Sequence, residues 1–242
     1  MIPRVLIDPG LEPDAKWSPS KEQRHYLIRV LRLRRGDPVQ AFDGQGRRFE
    51  ALLIDDSAEQ ACLQIGKQIQ ACPESRLSIT LAQCLSSGDK MDWTIEKAVE
   101  LGVGQIQPLI SERSVVRLDD HRIQNRLDHW HRVIVSACMQ CGRDRLPPIA
   151  MPVTLQRWIE RRDRERSAIL LWPDAQEPLS SLDIRGEAFD LLVGPESGLS
   201  AQEQAHCLDA GFQAARLGPR VLRTETAGLT AIAVLQARFG DL

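Results

Sequence analysis

The stretch Leu191-Leu192-Val193-Gly194-Pro195-Glu196-Ser197-Gly198-Leu199-Ser200-Ala201-Gln202-Glu203 constrains this chain more than any other. It opens as a short apolar run, the pattern of a strand buried on both faces of a parallel sheet. The run breaks at Gly194-Pro195, where glycine permits unusual dihedrals and proline fixes one and removes a donor. Ser200 and Glu203 then stand at the spacing of a capping box, each side chain able to reach the other's backbone N–H. Strand, glycine-bearing loop and helix in succession place a small-molecule site at the carboxyl edge of a sheet. An ordinary βα turn has the same local pattern, so this stretch alone does not decide the matter. One helix later Leu217-Gly218-Pro219-Arg220-Val221-Leu222-Arg223-Thr224-Glu225-Thr226-Ala227 again reads as a loop leading into a helix.

The rest of the chain fits an α/β reading. From Leu77 onward strands and helices alternate: strands over 77–85, 105–110, 167–171, 189–193 and 213–217, with helices over 89–101 and 122–141, from Ser200, and from Thr224. Such alternation implies a mainly parallel sheet covered on both faces. Residues 1–72 read differently, as a small β-rich unit with one helix. Arg4–Asp8, 37–42, 47–54 and 60–65 are strand candidates, and Asp43-Gly44-Gln45-Gly46 has the composition of a hairpin turn. Ser18 or Ser20 is placed to cap a helix over Glu22–Leu33. A linker around Ala71-Cys72-Pro73-Glu74-Ser75 is the expected boundary, giving domains 1–72 and 73–242.

Charge is unevenly spread. The formal net charge is -2, yet Lys21 to Arg35 holds six cations (Lys21, Arg24, Arg29, Arg32, Arg34, Arg35) against Glu22 alone. Clustered arginine suits phosphate contact, and His25 and Tyr26 add stacking groups. A solvated helix face would look the same. Cys62, Cys72, Cys84, Cys138, Cys141 and Cys207 are scattered, the pattern of reduced thiols in a cytosol and not of a disulfide framework. Met1-Ile2-Pro3-Arg4-Val5 lacks an apolar leader region, and no apolar run approaches a membrane span, so a cytoplasmic protein without membrane contact is expected.

Several chemistries lack their motifs. No Gly-x-x-x-x-Gly-Lys-Ser/Thr run occurs, Gly102-Val103-Gly104 lacks the third glycine of a dinucleotide site, and no Gly-x-Ser-x-Gly is present. His131, Cys138 and Cys141 share one helical face, but one straight helix cannot wrap a metal tetrahedrally, so no metal site is expected.

The two C-terminal loops resemble the signature loops of SPOUT methyltransferases, and within them those of the RsmE family. His25-Tyr26-Leu27-Ile28-Arg29-Val30-Leu31-Arg32-Leu33-Arg34-Arg35-Gly36-Asp37, Glu96-Lys97-Ala98-Val99-Glu100-Leu101-Gly102-Val103, Glu112-Arg113-Ser114-Val115-Val116 and Ala137-Cys138-Met139-Gln140-Cys141-Gly142-Arg143 also resemble family segments. The resemblance implies a C-terminal SPOUT α/β domain with a trefoil knot, plus a small N-terminal PUA-like β-barrel that binds RNA. It further implies S-adenosyl-L-methionine as cofactor, and N3 of a specific uridine in 16S ribosomal RNA, or in the small ribosomal subunit, as target. The cofactor residues it implies are Leu171, Trp172, Val193, Gly194, Pro195, Glu196, Gly198, Leu217, Gly218, Val221, Leu222 and Thr226. Its RNA contacts would be Arg24, Arg29, Arg32, Arg34 and Arg143, with Lys97, Glu100 and Arg113 at an interface or on RNA.

Methyl transfer to a ring nitrogen must also dispose of that nitrogen's proton. A carboxylate can take it, or a guanidinium can stabilise the anion left on the base, and Arg223 and Glu225 stand where a loop meets a helix. The same two residues would also serve as a loop-supporting ion pair. In the last helix, Leu229, Ile232, Leu235 and Phe239 form one apolar stripe beside a second of Ala227, Ala231 and Val234. Two apolar faces need two partners. Deep burial in a monomer would supply them, and so would the homodimer that the resemblance implies. The family glycine at position 197 is serine here, which raises the question of a left-handed backbone and leaves open a non-catalytic RNA-binding factor with a degenerate pocket. A SPOUT enzyme acting on another nucleotide is the other open reading.

Overall fold

The computed structural model describes residues 2–57, 59–114 and 120–242. The chain divides into two compact units, Met1–Glu74 with Val135–Leu146, and Ser75–Ile134 with Pro147–Leu242.

The first unit is a curled five-stranded sheet. It contains β1 (Arg4–Leu6), β2 (Lys16–Trp17), α1 (Lys21–Arg24), β3 (Pro38–Phe42), β4 (Arg48–Asp55) and β5 (Cys62–Ile69), in sheet order β1-β3-β4-β5-β2. β1 and β3 are parallel and the other pairs antiparallel. Alternation along β4 turns Phe49, Ala51 and Leu53 into a core shared with Val5, Trp17, Leu27, Val39, Leu63 and Ile65. Two register shifts between β4 and β5 bend the sheet.

The helix expected over Glu22–Leu33 is real only in part. Ser20 and Gln23 cap it reciprocally, the Gln23 amide donating to Ser20 Oγ at 3.3 Å and the Ser20 amide to Gln23 Oε1 at 2.9 Å. After four residues it widens into a π-helical turn over His25–Val30. The wider turn keeps Leu27 in the core but leaves Val30 58% exposed, and Arg32 then reverses the chain at φ 58°.

A buried carboxylate ties this unit together. Asp144, 1% exposed, accepts from Arg4 at 2.6 Å, from Arg48 at 2.9 Å and from the Cys72 amide at 2.7 Å. Burial lowers the pKa of Arg4, and Asp144 opposes that shift.

The second unit is built on β6 (Ser78–Cys84), α2 (Gly88–Glu100), β7 (Gln105–Ile110), α3 (Asp120–Cys141, grouped with the first unit from Val135 onward), β8 (Val153–Thr154), α4 (Leu155–Arg161), β9 (Ser167–Leu171), β10 (Ala188–Val193), α5 (Ala201–Asp209), β11 (Gln213–Ala215) and α6 (Thr224–Phe239). Its six strands are all parallel, in order β11-β9-β10-β6-β7-β8. Chain order reverses between β10 and β6, the switch point at which open α/β sheets hold ligands. One face packs Ala82, Leu170 and Leu192 against α4 and α5 through Leu155, Trp158, Cys207 and Phe212. The other face takes α6, whose Gly228 lies so close that a Cβ there would meet Leu81 at 3.1 Å and Val193 at 3.3 Å. Of the two stripes expected on α6, Leu229, Ala231, Ile232 and Leu235 are buried, while Ala227, Val234 and Phe239 keep partial exposure.

The strands expected over 105–110 and 167–171 occur at those residues. β2, β8 and α4 were not anticipated, because elements this short carry too few residues to show a period. Among the described residues no helix is long and apolar enough to cross a membrane.

Replacing Asp144 by alanine strands two mostly buried guanidinium groups. We expect urea unfolding of the full chain to show a loss on the order of 3 kcal/mol. A loss below about 1 kcal/mol would mean that solvent already screens these pairs.

Candidate functional site

The site follows from register. Val193 pairs with Leu171, Leu171 with Ala215, and Val193 with Gln83, so β9, β10, β11 and β6 reach one level together. Just beyond this level the chain leaves β9, β10 and β11, and the three loops surround a cavity of about 390 Å3. That volume is within the range of small-molecule sites, about 300–1,000 Å3. The helix after β10 starts as its sequence requires, the Glu203 amide donating to Ser200 Oγ at 3.2 Å and the Ser200 amide to Glu203 Oε2 at 2.9 Å.

The cavity walls are mainly apolar. Leu171, Trp172 and Pro173 come from the first loop, Val193, Pro195 and Leu199 from the second, and Leu217, Val221 and Leu222 from the third. Gly194 permits close approach, since a Cβ there would stand 3.3 Å from Leu199 Cγ. Gly198 and Gly218 have φ +71° and +94°, which side chains rarely adopt.

Two sets of polar contacts brace these walls. Lys90, in the first turn of α2, reaches Glu196 at 3.0 Å and Glu225 at 3.9 Å. Burial opposes ionisation of Glu196, but its own amide and Lys90 outweigh that and hold its carboxyl below the usual range. Thr224 Oγ1 donates to the Gly194 carbonyl at 2.6 Å and accepts from Gln83 Nε2 at 2.9 Å.

Of the residues expected on the cofactor, Leu171, Trp172, Val193, Gly194, Pro195, Glu196, Gly198, Leu217, Gly218, Val221 and Leu222 line this cavity. Thr226 does not, because the first turn of α6 carries it past the rim. Arg223 lines the cavity and is exposed, while Glu225 lies beside the wall, with 13% of its side chain exposed and Oε2 buried without a hydrogen-bond partner. The two are not an ion pair among the described residues, and the carboxylate faces Lys90 instead. Lys90, Gln83, Thr224 and Leu199 were not singled out by the sequence. The available signals were a glutamine inside an apolar strand and a lysine in a helix's first turn.

Ser197 has no left-handed backbone; among the described non-glycine residues only Asp14 and Arg32 have positive φ. Its hydroxyl donates to the Arg113 carbonyl at 3.1 Å, and the Arg113 guanidinium donates to the Ser197 carbonyl at 3.3 Å. The substitution therefore braces the loop and no longer speaks for a degenerate pocket. Lys97 is held by Glu96 and Glu100, which raise its pKa to about 12. Val115 and Val116 lie outside the described residues.

In the first unit Arg29, Arg32 and Arg34 are exposed, and Arg34 has only a loose pairing with Asp56 at 3.9 Å. Arg24 is half-buried and donates to the Pro19 carbonyl at 3.4 Å. Arg143 departs from the expectation of an RNA contact. It is 8% exposed and grips Glu74 through Nη2 at 2.6 Å and Nε at 3.3 Å, so a carboxylate already occupies its guanidinium. Among the described residues no group of three His, Cys, Asp or Glu side chains is placed to hold a metal ion. Burial pushes the thiols of Cys84, Cys138 and Cys207 up to about 12.

A family profile described as an RNA methyltransferase domain matches residues 73–236, and one described as an RNA methyltransferase PUA domain matches residues 19–66. A ribosomal RNA small subunit methyltransferase E of Buchnera aphidicola is 35% identical over 99% of this chain and 95% of its own length. The chain belongs to the ribosomal RNA small subunit methyltransferase E family. A family member from Neisseria gonorrhoeae, solved bound to S-adenosyl methionine, is 36% identical with TM-score 0.93, both chains covered fully. A Legionella pneumophila protein, solved with the cofactor SAM, is 33% identical with TM-score 0.95, again covering both chains fully. The second unit thus has the SPOUT methyltransferase fold and the first is the family's PUA domain.

Lys90 contributes to the depressed pKa of Glu196, so Lys90→Met should raise it. A carboxyl resonance titrating below the ordinary glutamate range in the wild type and moving up in the variant is the expected NMR result. The sign follows: a lowered folded-state pKa adds stability above the unfolded value and loses it as pH falls through the folded one. An unmoved titration would show that the Lys90 contact is not held in solution.

Proposed function

We propose that this chain transfers a methyl group from S-adenosyl-L-methionine to N3 of a specific uridine in 16S ribosomal RNA. Free RNA or the small ribosomal subunit serves as substrate, and the cytoplasm is the compartment. The observation that carries the reading is the convergence of the loops after β9, β10 and β11 on one apolar-walled cavity at the carboxyl edge of the parallel sheet, in a chain of this family. The apolar side chains of all three loops suit an adenosine moiety, and Gly194, Gly198 and Gly218 let backbone approach it closely. When bound, the cofactor supplies an electrophilic methyl on a sulfonium that becomes a neutral sulfide. A site for that reaction needs alignment more than counter-charge, and holding two reactants in line supplies several powers of ten in rate.

The protein's own residues handle the acceptor. Loss of the N3 proton leaves negative charge on the uracil oxygens, and Arg223 at the cavity rim stabilises it. Glu225, beside the cavity wall with 13% of its side chain exposed and its carboxylate facing Lys90, is the proton acceptor in this reading. The PUA domain contributes RNA affinity through the exposed Arg29, Arg32 and Arg34, beside Tyr26 at 37% exposure. We further propose the trefoil knot, and a homodimer that covers Trp93 of α2, 43% exposed, and the partly exposed Ala233 and Val234 of α6.

Ribosomal RNA from cells lacking this protein should lose one methylated uridine by mass spectrometry, and the wild-type gene should restore it. Restoration of a mark on a different nucleotide would favour another RNA methyltransferase activity. Arg223→Ala should lower kcat on the order of a hundredfold while changing donor affinity far less. Equal losses in both would make Arg223 a wall of the cavity only. Charge reversal at Arg29 and Arg32 should weaken RNA binding and flatten its dependence on salt, by roughly 0.7 to 0.9 in logarithmic slope per lost phosphate contact. Unchanged binding would mark the cluster as a solvated face.

A further inference from the structure

Gln83 has 0% exposure within β6, at a position where an apolar side chain would pack without cost. Its Nε2 donates to Thr224 Oγ1 at 2.9 Å and to the Cys84 carbonyl at 3.3 Å, whereas its Oε1 is buried with no hydrogen-bond partner among the described residues. Chemistry fixes this orientation. Thr224 has a single hydroxyl proton, and the Gly194 carbonyl, 2.6 Å away, can only accept. The threonine therefore spends its proton on Gly194 and must be fed by a donor, which only the NH2 end of the glutamine supplies. The unsatisfied Oε1 is the cost of presenting that end.

We infer that Gln83 and Thr224 form a positioning relay that pins the loop after β10 to the first residue of α6 and thereby sets affinity for the methyl donor. The relay joins three elements far apart in sequence: the end of β6, the Gly194 turn and the start of α6. Gly194 and Thr224 both line the cavity, so the length of this chain of hydrogen bonds fixes how far apart two of its walls stand. The N-cap residue of α6, Arg223, makes no side-chain cap hydrogen bond among the described residues, so the Thr224 side chain is what ties the start of this helix to the loop after β10. Thr224 takes one lone pair of the Gly194 carbonyl and so fixes the direction in which this peptide faces the cavity. The inference rests on the reading of this cavity as the donor site.

The test is calorimetric titration of S-adenosylmethionine into the full chain and its variants. Thr224→Val keeps the shape and removes the hydroxyl; donor affinity should fall about tenfold, the worth of one buried hydrogen bond. Thr224→Ser keeps the hydroxyl and should restore affinity to near the wild-type value. Hydrogen exchange on the ligand-free proteins gives a second readout: the amides of Gly194, Glu196, Ser197 and Gly198 lose protection in Thr224→Val and keep it in Thr224→Ser. Gln83→Glu adds a readout that packing alone would not move. An ionised carboxylate cannot donate to Thr224, whereas a protonated one can, so its donor affinity should recover as pH falls while the wild type stays flat. If Gln83→Glu does not fold, the threonine pair decides. Equal affinity in wild type and Thr224→Val would overturn the relay alone, as would a Thr224→Ser variant as weak as the valine. A wild-type protein that binds no donor would overturn the relay together with the reading of the cavity.

Discussion

Parallel register is the constraint on which the second unit depends. Strands β9, β10 and β11 point the same way and finish level with one another, so their loops must meet on one edge. A parallel strand cannot be followed by a hairpin; it needs a crossover, which starts on the same edge whether it holds a helix, as α5 after β10, or none, as between β9 and β10. The opposite edge is closed by charge. Arg166 donates to the Ser78 carbonyl at 2.6 Å, the Phe189 carbonyl at 2.9 Å and Asp190 Oδ1 at 2.7 Å, stitching the starts of β6 and β10 together. Asp190 is 3% exposed and also has Arg162 at 3.8 Å, whose pKa burial lowers despite that carboxylate. One end of the sheet is thus locked by a buried ion network, and the other is left to loops.

What the sequence made legible is local. The change from an apolar run to Gly-Pro to a capping box lies within 13 consecutive residues, and the structure has the strand end at Val193 and the reciprocal cap at Ser200 and Glu203. The amino-terminal helix was less readable. Leu27, Val30 and Leu31 have helical spacing, yet the π turn changes which of them faces inward, and Val30 ends up exposed. No periodicity argument based on 3.6 residues per turn anticipates an added residue in the turn.

Side-chain partners distant in sequence were not legible. The family resemblance offers Arg143 to RNA, but Glu74, 69 positions away, pairs with it. Thr226 stands in a motif of cavity residues, yet helical geometry takes it past the rim and only its neighbours Arg223, Thr224 and Ala227 line the cavity. Gln83 and Lys90 lie more than 100 residues before the loops they brace, and nothing near them in the chain announces those loops.

The distribution of polar groups around the cavity separates two tasks. Lys90 is committed to Glu196 and Glu225, Thr224 to Gly194, and Arg216 to the carbonyls of Ala175 and Gln176. These side chains are held within the wall, beside the apolar surfaces of Leu171, Trp172, Val193 and Leu217, and such surfaces suit a sulfonium that loses its charge as it reacts. Arg220 and Arg223 have no ion pair or side-chain hydrogen bond among the described residues, and both are exposed where the third loop reaches the rim. Uncommitted guanidinium groups are the ones able to answer charge that arrives with a polyanion or develops on its base. The same loop therefore brings both the apolar Leu217 and Leu222 and the uncommitted Arg220 and Arg223 to one cavity. Counter-charge added to the wall would stabilise the sulfonium more than the transition state in which that charge is dispersing, and so would slow the transfer it was meant to help.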